Sequence, residues 1–233
     1  MKFGVIGALD VESALLKKRM QDIKESKVAN LTFFEGKIES KDVVLVQSGV
    51  GKVNAALCAQ ILILKFNVTH VINTGIAGAM DKRLRTLDTV ISTVCLYHDV
   101  DTTYFGDTIC TLPDMPRYFP ADNKLIEIAT EVAKENEGQN TYKVYTGRIA
   151  SGDQFICTKA LKNKIEENCH PMCVEMEGAA VAHACYLHKI PFVIIRTISD
   201  TADESVKQDY GFNREIAAQL SANMVSSIIQ KVD

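Results

Sequence analysis

No run of apolar residues in this sequence approaches the roughly 20 that a bilayer-spanning helix needs, so a membrane is not an expected partner. Basic excess is missing too. Lys and Arg total 26 against 29 Asp and Glu, a formal charge of −3, which leaves no electrostatic footprint for nucleic acid. The seven cysteines contain no C-x-x-C pair, and an odd count in a chain of 233 residues argues against a disulfide framework. Reduced, mostly structural thiols in a cytoplasmic protein are the expectation. Only Lys2 precedes about seven apolar residues before Asp10 and Glu12, too short and too soon acidic for a signal peptide. Proline is scarce, yet three of the five fall between Tyr97 and Pro120, a stretch without periodicity. Such long irregular segments inside compact domains are usually functional.

What is present reads as one α/β domain over 1–233, with no repeat, linker or low-complexity tract. Lys2 to Leu9 predicts a buried strand, and Asp10 an N-cap for a helix reaching about Ile23. Residues 31–40 and 42–48 predict an antiparallel pair about a turn at Ser40-Lys41. Further strands are expected at 70–74, 89–96, 143–150, 172–176 and 192–198. Helices are expected at 53–66, 121–136, 158–168 and 177–188. A last amphipathic helix uses Phe212, Ile216, Leu220, Met224, Val225 and Ile228. Strands alternating with helices imply a mostly parallel sheet covered by helices, made mixed by the early antiparallel pair.

Ligands of such sheets sit outside the carboxyl ends of the strands. Those ends carry Glu12, Ser48-Gly49-Val50-Gly51, Gly75-Ile76-Ala77-Gly78, Ser151-Gly152-Asp153, Glu175-Met176-Glu177 and Arg196 with Ser199-Asp200. Acids among apolar residues are costly unless paired or used. Glu175 and Glu177 alone would suit an ordinary helix start; the other rim acids make a site the better reading. Gly49-Val50-Gly51-Lys52-Val53 fails as a phosphate loop, because positions 46 and 53 are valine, and as a dinucleotide fingerprint, because position 54 is Asn54. His98, Asp99 and Asp101 form no ligand spacing with His70, His170, His183 or His188, so no metal is expected. No G-x-S-x-G elbow points to a serine hydrolase.

The rim groups suit glycosyl transfer to water, which needs a base for the water, an acid for the leaving group and contacts to the sugar. On a regular strand Arg196 would point to the same side as Asp200 and could orient carboxylates without titrating. At Glu175-Met176-Glu177-Gly178-Ala179-Ala180, Arg196-Thr197-Ile198-Ser199-Asp200 and Asn73-Thr74-Gly75-Ile76-Ala77-Gly78 the sequence resembles the 5′-methylthioadenosine/S-adenosylhomocysteine nucleosidases. Gly4-Val5-Ile6-Gly7-Ala8 with Glu12, Tyr97-His98-Asp99-Val100-Asp101 and Ser151-Gly152-Asp153-Gln154-Phe155-Ile156 are similar to that family as well, so the likeness covers essentially the whole chain.

The resemblance implies a three-layer αβα nucleoside phosphorylase-like fold with a central mixed sheet, a homodimer, and no metal or organic cofactor. It implies hydrolysis of methylthioadenosine and S-adenosylhomocysteine in methionine salvage, with 5′-deoxyadenosine a further candidate. By position, Glu12 would activate water and Asp200 would protonate adenine N7 while accepting from the 6-amino group. Glu177, with the Met176 backbone, would bind the ribose hydroxyls. Phe155 would stack on the purine and Ile156 would bond it through its backbone, with Ala77, Gly78, Arg196 and Ser199 nearby. The 5′ tail would lie among Leu9, Val50 and Tyr210, and Phe105 and Pro113 would enter from the partner subunit. Independently, a desolvated rim of acids would raise a carboxyl pKa toward the range a general acid needs. Ile76, Leu9, Thr102 and Tyr210 depart from the family's commoner residues, which leaves the preference between the two thionucleosides open. A purine nucleoside phosphorylase and a futalosine-type nucleoside hydrolase of the same fold are the competing readings.

Overall fold

A computed structural model describes residues 1–135, 142–202 and 206–232, the last with side chains from 213 onward. Strand β1 (Lys2–Gly7) lies between β4 (Lys41–Gln47) and β5 (His70–Ala79), parallel to both. Helix α1 (Asp10–Arg19) follows β1, and α2 (Lys52–Leu64) follows β4. Beyond β4, β3 (Leu31–Ile38) and β2 (Gln21–Val28) extend the sheet as an antiparallel wing.

On the other side of β5 the sheet closes on itself. Strand β10 (Phe192–Asp200) pairs with β5 in parallel and with β6 (Thr89–Tyr97) antiparallel. Strand β6 pairs with β8 (Val144–Ser151), β8 with β9 (Cys173–Glu175), and β9 returns antiparallel to β5. A two-residue β7 (Phe119–Pro120) adds to the edge of β6. The expected mixed sheet is present, with four more antiparallel pairings (β2–β3, β5–β9, β6–β7 and β6–β10) than the early pair alone implied.

Alternation along the strands sorts the core into two layers. Phe3 and Val5 of β1, Val43 and Leu45 of β4, and Val193 and Ile195 of β10 face α1, α3 (Asn123–Glu135) and α6 (Val206–Lys231). Ile6, Val44, Val46 and Ile194 face the opposite layer, α2 and α5 (Gly178–His188). Helix α4 (Lys159–Cys169) caps a third cluster with Leu96, Ala150 and Val174. Helices therefore cover both faces, as in a three-layer αβα sandwich.

Two predicted boundaries move: the strand expected at 70–74 continues as β5 to Ala79, through Gly75-Ile76-Ala77-Gly78, and the first helix ends early. The first helix stops at Arg19, where Lys17, Lys18 and Arg19 crowd its last turn and Met20 turns extended. Ile23, expected on the helix's apolar face, lies on β2 and is exposed. That strand is the charged sheet edge Gln-Asp-Ile-Lys-Glu-Ser-Lys-Val, broken by a register shift between Gln21 and Lys24. Exposed edge strands carry charge against unwanted pairing, which erases the alternation a sequence reading needs. The predicted end of the third helix at Asn136 lies outside the described residues.

Candidate active site

Between β1 and α1 the chain turns so that Glu12 points back into the protein, only 3% exposed. Its Oε2 accepts from the N–H groups of Ala8 (2.7 Å) and Leu9 (2.9 Å), and Oε1 from Ile76 N–H at the end of β5 (3.2 Å). Glu12, rather than Asp10, thus satisfies the start of the helix. Burial pushes its carboxyl pKa up, against the Arg196 charge and these three N–H groups. A carboxylate offers about four lone-pair sites, so one remains for a water.

Glu177 stands between β9 and α5. Its Oε1 accepts from Gly51 N–H (2.9 Å). Gly51 has φ 102°, a backbone that favours glycine, and so turns its amide toward Glu177 at the start of α2. Burial, then the neighbouring Glu175 charge, raises the Glu177 pKa to about 7.

Behind these acids lies a buried cation. Arg196 donates through Nε (3.1 Å) and Nη2 to Glu175 Oε2, and through Nη2 to Asn73 Oδ1 (2.6 Å). The same Nη2 stands 3.6 Å from Glu177 Oε2. Glu175 also accepts from the N–H groups of Glu177 (3.0 Å) and Gly178 (2.7 Å) and from Ser151 Oγ. Burial alone would raise the Glu175 pKa, but Arg196 and these donors hold it below the usual carboxylate range. Breaking such a pair leaves an uncompensated buried charge, a loss of about 3–5 kcal/mol.

Asp200 ends β10, buried. Its Oδ2 accepts from Ser199 Oγ (2.8 Å) and its Oδ1 from Ala202 N–H (2.9 Å). The strand is not regular there, since the pairing with β5 slips between Ile198 and Asp200. The simple alternation that put Arg196 and Asp200 on one side does not hold. Arg196 turns to the carboxylates behind, and Asp200 to the open rim.

These groups surround one pocket with a cavity of about 150 Å³. Glu12, Glu177 and Asp200 line it together with Leu9 and Val50. The remaining wall includes Ala77, Gly78, Phe155, Ile156, Met176 and Ser199, all predicted, and Ile76. Arg196 does not line it. Phe105 is 79% exposed on the turn Thr103–Phe105, Pro113 is exposed, and neither reaches this pocket within the protomer. The side chain of Tyr210 lies outside the described residues.

Sequence reasoning missed Gln154, Ala8 and Val174 in the wall. It also missed a bridge that joins three strand ends. Lys52 Nζ pairs with Asp99 Oδ2 (2.6 Å), Lys52 N–H donates to Asp153 Oδ1 (2.8 Å), and Asp153 N–H to Asp99 Oδ2 (2.8 Å). Nothing local to Asp99 in the sequence signals Lys52.

The sequence profile of the Phosphorylase superfamily matches residues 2–230. A 5′-methylthioadenosine/S-adenosylhomocysteine nucleosidase of Halalkalibacterium halodurans is 42% identical over 232 residues, covering 99% of each chain. The crystal structure of such a nucleosidase from Colwellia psychrerythraea, in complex with adenine, superposes with a TM-score of 0.95 at 42% identity, covering 99% of this chain and 95% of that one. Futalosine hydrolase of Helicobacter pylori superposes with a TM-score of 0.93 at 31% identity, covering 100% and 98%. Fold and site thus define a nucleoside phosphorylase-like α/β protein. Within the superfamily, the chain belongs to the 5′-methylthioadenosine/S-adenosylhomocysteine nucleosidase family.

Proposed function

We propose that this protein hydrolyses the N-glycosidic bond of 5′-methylthioadenosine and S-adenosylhomocysteine, with 5′-deoxyadenosine a further substrate, releasing adenine and the 5-substituted ribose. One observation carries the reading: Glu12, Glu177 and Asp200, from three distant strand ends, converge on one pocket beside Phe155. Adenine leaves readily only once N7 is protonated, and Asp200 is the acid that donates there. The ribose gains oxocarbenium character as the bond breaks. Glu177 accepts from its hydroxyls, and Met176 contributes backbone contacts. Water held by the free lone pair of Glu12 attacks the anomeric carbon, and Glu12 takes its proton. Its burial makes that proton easier to accept. Phe155 stacks on the purine and the Ile156 backbone bonds it, while Leu9 and Val50 receive the 5′ group. Arg196 holds the acids in place from behind.

A phosphorylase needs a cation for phosphate, usually a bidentate arginine. Among the described residues, the pocket wall holds no lysine, arginine or histidine, which favours water. Asp200 favours adenine over a 6-oxopurine, because it can both accept from the amino group and protonate N7. The decisive experiment incubates the protein with methylthioadenosine, S-adenosylhomocysteine, inosine and futalosine in phosphate-free buffer and measures free base. Adenine from the two thionucleosides is expected. Strict phosphate dependence, or release only from futalosine, refutes the reading.

The protein acts as a homodimer in the cytoplasm, with no cofactor. Helices α2 and α5 pack side by side and leave Val53, Leu57, Leu64, Tyr186 and Leu187 exposed, an apolar face that supports self-association. Phe105 and Pro113 then belong to the partner's site. A monomer by sedimentation equilibrium at assay concentration would overturn this.

A further inference from the structure

Two thiols that take no part in the pocket meet beneath α4. Cys110 lies in the irregular segment between β6 and β7, and Cys169 is the last residue of α4. Their sulfurs are 3.0 Å apart and both are buried. That is about 1 Å more than a disulfide bond length. Cys110 has φ 64°, uncommon for a residue with a Cβ, and its N–H donates to Val100 O (3.0 Å). The turn so held sets its sulfur against α4. Cations flank the pair: Arg117 Nη2 donates to Asn168 O (2.6 Å), and Arg148 Nη1 to Cys169 O.

We propose that Cys110 and Cys169 are a peroxide-sensitive pair that closes to a reversible disulfide, tying the segment between β6 and β7 to α4. The two thiols differ in the way that chemistry requires. Contact with the Cys169 sulfur, with Arg117 beside it, holds the Cys110 pKa below the ordinary thiol value despite burial, and the same contact raises that of Cys169. Cys110 is therefore the attacking thiolate and Cys169 the resolving thiol. The Cys110 thiolate attacks one peroxide oxygen; the O–O bond breaks, hydroxide leaves, and Cys110 becomes a sulfenic acid. Cys169 sulfur then attacks the sulfenic sulfur. The S–S bond forms, the S–O bond breaks, and the departing hydroxide takes the Cys169 proton. Overall, two thiols and one hydrogen peroxide give one disulfide and two waters. Ile156 of the pocket wall packs in the same small cluster as both sulfurs, so the bond also braces that wall. Burial raises the thiol pKa of Cys58, Cys95, Cys173 and Cys185, which keeps them inert.

The test exposes the full-length protein to hydrogen peroxide and maps non-reduced peptides by mass spectrometry. A Cys110 peptide linked to a Cys169 peptide, lighter than their sum by two hydrogens and released by dithiothreitol, is expected. Closing a loop of about 60 residues should raise the Tm of the oxidised protein by roughly 10 °C over the reduced form. Cys110→Ser and Cys169→Ser should each abolish both effects. Oxidation of exposed Cys157 while Cys110 and Cys169 still alkylate as free thiols overturns the proposal. So does conversion of either to sulfinic acid without a link, and both outcomes are read on the native protein.

Discussion

With the proposed ribose contact, Glu177 should have opposed effects on stability and on binding, and Glu177→Gln should separate them. The substitution keeps an oxygen acceptor for Gly51 N–H but removes the titration. In the unfolded chain the Glu177 proton leaves near 4.5, whereas in the native protein it stays until about 7. Between those values the native state holds more protons than the unfolded one, so stability falls as pH rises through the window. About 2.5 pKa units correspond to a penalty of about 3 kcal/mol, complete above pH 7 and absent below 4.5. From pH 5 to pH 8 the variant should therefore gain about 2–3 kcal/mol on the wild type, or roughly 5–10 °C in Tm. Urea or thermal unfolding of both proteins across that range measures the gap. Activity should move the other way. In its proposed ribose-binding role, wild-type kcat/KM should fall as pH drops below about 7, because a protonated Glu177 accepts less well from the ribose, and the variant should lose kcat/KM throughout. A stability gap that stays constant from pH 5 to 8 would show that burial does not hold this proton, and would refute the reasoning.

Three further substitutions probe the reaction. Asp200→Asn should lower kcat at least ~100-fold, since a general acid contributes about 10²–10⁴; near-normal single-turnover rates would remove it as proton donor. Glu12→Gln should still bind substrate, seen by calorimetry, while hydrolysis nearly stops, and retained turnover would exclude Glu12 as the base. Gly75→Ala tests the crowding between base and cation: its Cβ would stand 2.7 Å from Glu12 Oε1 and 2.8 Å from Arg196 Nη1. Overpacking of this kind costs about 1–3 kcal/mol, and kcat should fall by at least ~10-fold as Glu12 is displaced. Unchanged kcat in a folded Gly75→Ala protein would mean that the Glu12 position is not critical.

Core strands such as those holding residues 43–46 and 192–195 were legible because their apolar residues run without interruption, and the rim because acids and glycines stand near the ends of the strands. The wing strand β2 was not legible, because an exposed edge replaces alternation with charge. Nor were the partners of Arg196. One strand-end arginine among apolar residues signals a buried cation, but Asn73 is brought to it by β5, and Glu175 and Glu177 by β9 and the turn that follows it. The Gly51–Glu177 and Lys52–Asp99 contacts are of the same kind. Each depends on which strand ends become neighbours, and that is decided by packing and crossover, not by any local pattern.

Strand β10 has a consequence for how the molecule is made. It is the last strand in the chain yet an interior one, seated between β5 and β6. Until Phe192–Asp200 has left the ribosome, β5 and β6 each present a bare edge of unpaired amides and carbonyls, the surface on which growing chains aggregate. Asp200, the proposed general acid, arrives on the strand that seals this gap. Closure of the sheet and competence for chemistry are thus a single late event, and a nascent chain halted before Phe192 lacks both.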